Sequence, residues 1–125
     1  MCGRYDLTES PQMLMLYFAL SVEPDAYSNG DIRPTSTAPI IRDVDGQRIA
    51  GMARWGLIPS WWKNQDLPHS TFNAKSETLT EKPSFRTAFK RRRCIVPVSA
   101  FFEWQAIPGQ KKKQKLRFAS ADAST

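Results

Sequence analysis

Ile40-Ile41-Arg42-Asp43-Val44-Asp45-Gly46-Gln47-Arg48-Ile49-Ala50 is the stretch that sets the fold class. Two β-prone runs flank Asp45-Gly46, and an Asp-Gly step supplies the positive-φ positions that a two-residue hairpin turn demands. The second strand is expected to run on through Met52 and Trp55. Further along, residues 94–98 and 101–105 read as strands. Pro108-Gly109 with Lys111, Lys112 and Lys113 reads as a hairpin tip, and residues 116–118 as the returning strand. On the other side, Thr8-Glu9-Ser10-Pro11 reads as a helix start, with a hydroxyl cap and proline in the first turn. Met13, Leu14, Leu16, Tyr17 and Leu20 follow at helical spacing and are expected in the core. Residues 73–75 read as a short strand or strand end, and residues 56–62 as an extended aromatic loop. Residues 84–89 read as a brief helix running into Lys90, Arg91, Arg92 and Arg93. The outcome is an α+β chain, mainly antiparallel β with a few short helices. Nothing after residue 119 is predicted to cover the last strand, so the chain reads as the front portion of a longer domain.

With 125 residues, 41% hydrophobic and 24% charged, the chain is sized for one globular domain, residues 1–125. No apolar run is long enough to span a membrane, and the N-terminus lacks the layout of a secretory signal. Two cysteines, Cys2 and Cys94, make no disulfide framework, which points to a reducing, intracellular setting. Cys94, before Ile95-Val96, reads as a buried strand cysteine. No metal-ligand constellation or nucleotide-binding glycine loop is visible, so no metal or cofactor is expected. The net charge of +6 is unevenly placed: residues 82–117 hold eleven basic residues and one acidic residue, Glu103. A basic half with one carboxylate suits a polyanionic partner, most simply nucleic acid.

Met1-Cys2-Gly3-Arg4 carries the strongest chemical signal. Removal of Met1, which a small second residue permits, places a thiol and a free α-amine on one residue. Their unperturbed pKa values, about 8.5 and about 8, leave both partly deprotonated near neutrality. An aldehyde meeting this pair gives a Schiff base and then a five-membered thiazolidine; a carboxamide meets a thiol nucleophile with its own base.

Four segments stand in order: Met1-Cys2-Gly3-Arg4-Tyr5; Trp55-Gly56-Leu57-Ile58-Pro59 with Trp61-Trp62; Asn73-Ala74-Lys75-Ser76-Glu77-Thr78; and Phe102-Glu103-Trp104. The set resembles the SOS response-associated peptidase (SRAP) family of abasic-site processing proteins over essentially the whole chain. The resemblance implies a barrel-like SRAP sheet that binds single-stranded DNA and captures abasic sites through a thiazolidine at the mature N-terminal cysteine. It places Cys2 as nucleophile and Asn73 as the active-site asparagine, where its amide meets the opened sugar or the terminal amine. Glu103 becomes the glutamate that shuttles protons and assists autoproteolytic removal of Met1; a lyase activity is also implied. On a strand, Glu103 points with Phe101 and Gln105, away from Phe102 and Trp104. Arg4, Pro34, Lys75 and Arg86 fall at DNA-contact positions. Trp61 and Trp62 offer stacking faces, with one of the two expected buried.

The chain departs from the family pattern in three places. Asp31-Ile32-Arg33-Pro34 stands where the family commonly has Asn-Ile/Val-Ala-Pro, so only Pro34 fits. Lys75 replaces an arginine, keeping charge but losing the bidentate fork. The family's C-terminal histidine, in a His-x-Arg-Met-Pro-like motif, has no counterpart up to residue 125; the one histidine, His69, matches no motif and reads as a surface residue. The expected partner is single-stranded DNA carrying abasic sites, bound by a monomer away from membranes. The expected setting is the bacterial cytoplasm at the nucleoid, or else a nucleus. Two other classes remain open: a non-catalytic single-strand-binding module, and an N-terminal-nucleophile glutamine amidotransferase, for which Asn29-Gly30 would serve the oxyanion hole.

Overall fold

The computed structural model describes residues 2–28, 30–64, 66 and 71–122. β3 (Thr37–Val44) and β4 (Gln47–Arg54) form the expected hairpin, antiparallel from Thr37 opposite Arg54 to Val44 opposite Gln47. Asp45 (φ +53) and Gly46 (φ +80) both take positive φ, the signature of the turn whose twist matches the strands. The Gly46 N–H also donates to Asp43 Oδ1 at 2.9 Å. β4 stops at Arg54, so Trp55 lies just past the strand.

The second sheet holds β1 (Tyr5–Leu7), β2 (Gly30–Ile32), β5 (Ala100–Gln105) and β6 (Gln114–Ala119) in the order β2-β1-β5-β6. Every pairing in it is antiparallel. Pairings of Tyr5 with Ile32 and Phe101, and of Phe101 with Phe118, put these four on one face, with Leu7 and Glu103 beside them by alternation. The other face carries Asp6, Asp31, Ala100, Phe102 and Arg117. Leu7, Tyr5 and Ile32 pack with Leu14, Leu20, Ala38 and Ile41 into one core cluster. β5 and β6 extend that face beyond the core, where Phe101 and Phe118 stack at 5.0 Å between centroids and stay partly exposed.

The sheets do not close into a barrel, contrary to the sequence expectation. Besides side-chain packing, Ile41 and Ile95 link the β3–β4 hairpin to the chain before β5 through two backbone hydrogen bonds, of 2.8 and 2.9 Å. Residues 94–98 therefore make one bridge rather than a strand, and Cys94 is exposed rather than buried. Pro97, lacking an N–H, interrupts the ladder that the β-branched residues would favour.

α1 (Pro11–Phe18) starts as read: Ser10 Oγ accepts from the Met13 N–H at 3.2 Å and Pro11 occupies the first turn. Ala19, at φ +50, ends it after two turns. Leu14 is fully buried and Leu20 nearly so, with Met15 and Phe18 packed on the same cluster. Leu16 is 75% exposed and Tyr17 is also on the surface, which corrects the expected stripe. At 100° per residue, Leu14, Met15 and Phe18 share the arc that faces the sheet, and Leu16 and Tyr17 lie off it. α2 (Arg86–Arg91) begins two residues later than expected and has no side-chain cap. Residues 73–75 form no strand.

Candidate functional site

Cys2, three residues before β1, lines a cleft of about 640 Å³ between the two sheets. Tyr5, Trp55, Leu57, Thr71 and Phe101 line it, and its surface is largely apolar. The Tyr5 and Trp55 rings meet at 5.4 Å, tilted by 49°. Burial, and then charge repulsion from Cys2 and Cys94, push the Tyr5 hydroxyl up to about 12. Tyr5 therefore stays an O–H donor throughout the physiological range.

Three hydrogen bonds dock residues 71–72 along residues 55–57. The Leu57 N–H donates to Thr71 O at 3.2 Å, Thr71 Oγ1 donates to Leu57 O at 2.5 Å, and Trp55 Nε1 donates to Phe72 O at 2.7 Å. This clasp delivers Asn73, whose side-chain Nδ2 donates to the Cys2 carbonyl at 2.6 Å. The Cys2 thiol in turn donates to Arg4 O at 3.4 Å, and Arg4 O also accepts the Phe102 N–H at 3.0 Å. Cys2 is thus half-buried and tied from two sides, where an unanchored terminus would fray.

Glu103 lies half-buried on the cleft face of β5, two residues past Phe101, or about 7 Å along the strand. Arg4 binds Asp31 through Nε at 2.5 Å, and Arg33 Nε binds the other oxygen of the same carboxylate at 2.9 Å. Burial alone would raise the Asp31 carboxyl, but hydrogen bonds from Arg4 and Arg33 outweigh it and hold the group below its ordinary value. Pro34 is half-buried in the turn after β2, next to Thr35, whose N–H donates to Trp55 O at 2.9 Å. Lys75 is exposed two residues beyond Asn73.

Trp61 is 54% exposed, and Trp62 is half-buried with its indole N–H donating to Asp66 O. Neither is a core residue, which corrects the expectation that one would be. Arg86 sits apart from Cys2, lining a separate cleft of about 520 Å³ with Thr80, Phe89, Lys90 and Arg91. Beside it, Arg93 stacks on Phe89 at 4.1 Å. Met1, Asn29 and His69 lie outside the described residues.

Sequence reading missed the clasp at Thr71, the coupling of Asp31 and Arg33 to Arg4, and the presence of Cys94 on the same cleft as Cys2. The second had a signal: Asp31 and Arg33 alternate around Ile32 and so share a face. Among the described residues, no group of His, Cys, Asp and Glu is placed to hold a metal, and no helix is long and apolar enough to cross a membrane.

The fold is thus an antiparallel two-sheet α+β domain with the Cys2 residue held on an apolar cleft. The chain belongs to the SOS response associated peptidase (SRAP) family, whose model matches residues 1–125. It is 33% identical to abasic site processing protein YoqW of Bacillus subtilis, over 98% of this chain and 56% of that protein. It is 37% identical to abasic site processing protein HMCES of Rattus norvegicus, over 74% of this chain and 30% of that one. A crystal structure of a Bordetella bronchiseptica protein superposes with a TM-score of 0.82 at 29% identity, covering 98% of this chain and 59% of the other. A Bacteroides thetaiotaomicron structure, at 23% identity and a TM-score of 0.83, shares the fold, again with 98% of this chain and 56% of the other covered. The chain spans little more than half the length of the bacterial relative it matches.

Proposed function

We propose that residues 1–125 act as part of one SRAP domain that captures abasic sites in single-stranded DNA through Cys2. The observation that carries this is the 2.6 Å hydrogen bond from Asn73 to the Cys2 carbonyl, which fixes the residue bearing the nucleophile at the mouth of the cleft. The names of the relatives, abasic site processing proteins, support the substrate class.

Hydrolysis of the Met1–Cys2 bond, with Glu103 assisting proton transfer, frees the α-amine; this is the peptidase step. The amine adds to the aldehyde carbon of the ring-opened sugar, and the carbinolamine loses water as Glu103 supplies a proton. The Cys2 thiolate then adds to the imine carbon, the nitrogen takes up a proton, and a thiazolidine joins protein to DNA. The open imine, before ring closure, is also the species from which a lyase would break the strand. Arg4, Lys75 and Arg86 hold phosphates, Pro34 shapes the approach beside Arg4, and Trp61 and Trp62 stack on bases.

A denaturing gel of the chain with single-stranded DNA carrying one abasic site tests this directly. The expected result is a heat-stable shifted band that requires both Cys2 and the lesion, absent with Cys2→Ala or undamaged DNA. No band from folded chain lacking Met1 would sink the capture reading.

A further inference from the structure

We infer that Arg4, Asp31 and Arg33 form a clamp for one backbone phosphodiester beside Cys2, with Asp31 as the residue that spaces and orients the two guanidiniums. This rests on the single-stranded DNA reading above and adds two residues, Asp31 and Arg33, to its binding surface.

Both arginines reach one carboxylate, Arg4 on Oδ1 at 2.5 Å and Arg33 on Oδ2 at 2.9 Å, so their head groups flank a common point. The triad carries one net positive charge, which leaves it suited to one further anion. Position is fixed by the backbone: Tyr5 opposite Ile32 and Asp6 opposite Asp31 set the register that brings β2 to Arg4. Arg4 is additionally held at 5.5 Å over the Phe102 ring. Two planar forks already ordered lose less freedom on gripping a phosphate than two free side chains do. Arg4 lies two residues from Cys2, about 7 Å along an extended chain, within reach of a phosphate next to a sugar held at the thiol.

A bare surface ion-pair network would behave differently. Such pairs contribute little to stability, and there Asp31 would only subtract positive charge from a DNA-binding face. Removing its charge would then tighten DNA binding. In a clamp, Asp31→Asn leaves one arginine without its acceptor, and binding weakens or stays level despite the gain of one positive charge.

The test is fluorescence anisotropy of an undamaged single-stranded oligodeoxynucleotide across a salt titration, with thermal melts verifying that each variant is folded. Arg33→Ala is expected to weaken binding about tenfold and to lower the slope of log K against log salt by about one. Arg33→Lys is expected to restore the slope but not the full affinity, since an ammonium cannot fork. Inorganic phosphate is expected to displace the oligonucleotide more effectively than chloride at equal ionic strength, and to lose that advantage in Arg33→Ala. Three results would overturn the clamp: an unchanged affinity and slope in Arg33→Ala, full rescue by lysine, or several-fold tighter binding in Asp31→Asn. A parallel gel of the unaltered chain with abasic DNA keeps the two ideas apart. Adduct without the anisotropy pattern removes the clamp alone, whereas absence of adduct removes the capture reading.

Discussion

The side-chain amide of Asn73 holds the backbone carbonyl of Cys2 at 2.6 Å across 71 positions of sequence. An amide donor on the carbonyl leaves the α-amine and thiol of the same residue to react while fixing the carbon that bears them. Under the proposed function, Asn73 is therefore a positioning residue for Cys2, acting through the backbone.

Asn73→Ala removes one hydrogen bond of about 1 kcal/mol. Adduct formation in single-turnover gels is expected to slow roughly five- to tenfold, with the final yield at long times retained. Asn73→Asp, which replaces the donor with an acceptor, is expected to slow it further. Equal rates for all three chains would show that the contact does not position Cys2.

Leu14→Ala is expected to destabilise the chain by about 2–5 kcal/mol, because the side chain is fully buried in the core cluster. Leu16→Ala, two residues away and 75% exposed, is expected to stay within about 0.5 kcal/mol. Denaturant unfolding of the two variants measures which arc of α1 faces the sheet, and similar losses in both would contradict the packing described.

Alkaline unfolding reports on Tyr5. Its hydroxyl is raised to about 12 in the folded chain, from 10.0 for the free group. Between those values the unfolded chain releases a proton that the folded chain keeps, so the contribution is intact below pH 10 and is lost as pH climbs toward 12. Tyr5→Phe is expected to flatten that part of the stability profile by at most roughly 2–3 kcal/mol, at about 1.4 kcal/mol per pH unit. A variant profile parallel to the original above pH 10 would rule this out.

Trp61 stands 54% exposed on the segment that follows β4, whereas the indole N–H of Trp62 is engaged by Asp66. Under the proposed function, Trp61→Ala is expected to weaken single-stranded DNA binding by about 1–3 kcal/mol while barely moving Tm. Trp62→Ala is expected to lower both affinity and Tm. Calorimetry and anisotropy on the same preparations separate the two roles.

Local signals carried much of the fold. Asp45-Gly46 specified its turn, and Ser10-Pro11 specified the start of α1, because both depend on residues within a few positions. The period of α1 was readable, but its buried arc was not, since an eight-residue helix bearing six apolar side chains offers several stripes and the sheet selects one. Residues 94–98 look strand-forming yet make one bridge to the edge of β3, because Pro97 has no N–H with which to extend it. At the candidate site, Cys2 was singled out by its chemistry and Glu103 by the family resemblance, and alternation along β5 gave the face on which Glu103 lies. The Asn73–Cys2 contact depends on the Thr71–Leu57 clasp, a long-range pairing that no local pattern encodes.

That clasp has a consequence for how the chain can change. The Leu57 N–H binds the Thr71 carbonyl and the Thr71 hydroxyl binds the Leu57 carbonyl, so the chain leaves and returns through a neck already closed. Lengthening a closed loop is inexpensive, about 0.6 kcal/mol per doubling, and the two neck bonds stand between such a change and Asn73. The segment bearing Trp61 and Trp62 is in effect an interchangeable cassette. Under the proposed function, what the protein stacks upon can be rewritten there by insertion or exchange while the Cys2 thiol stays aimed.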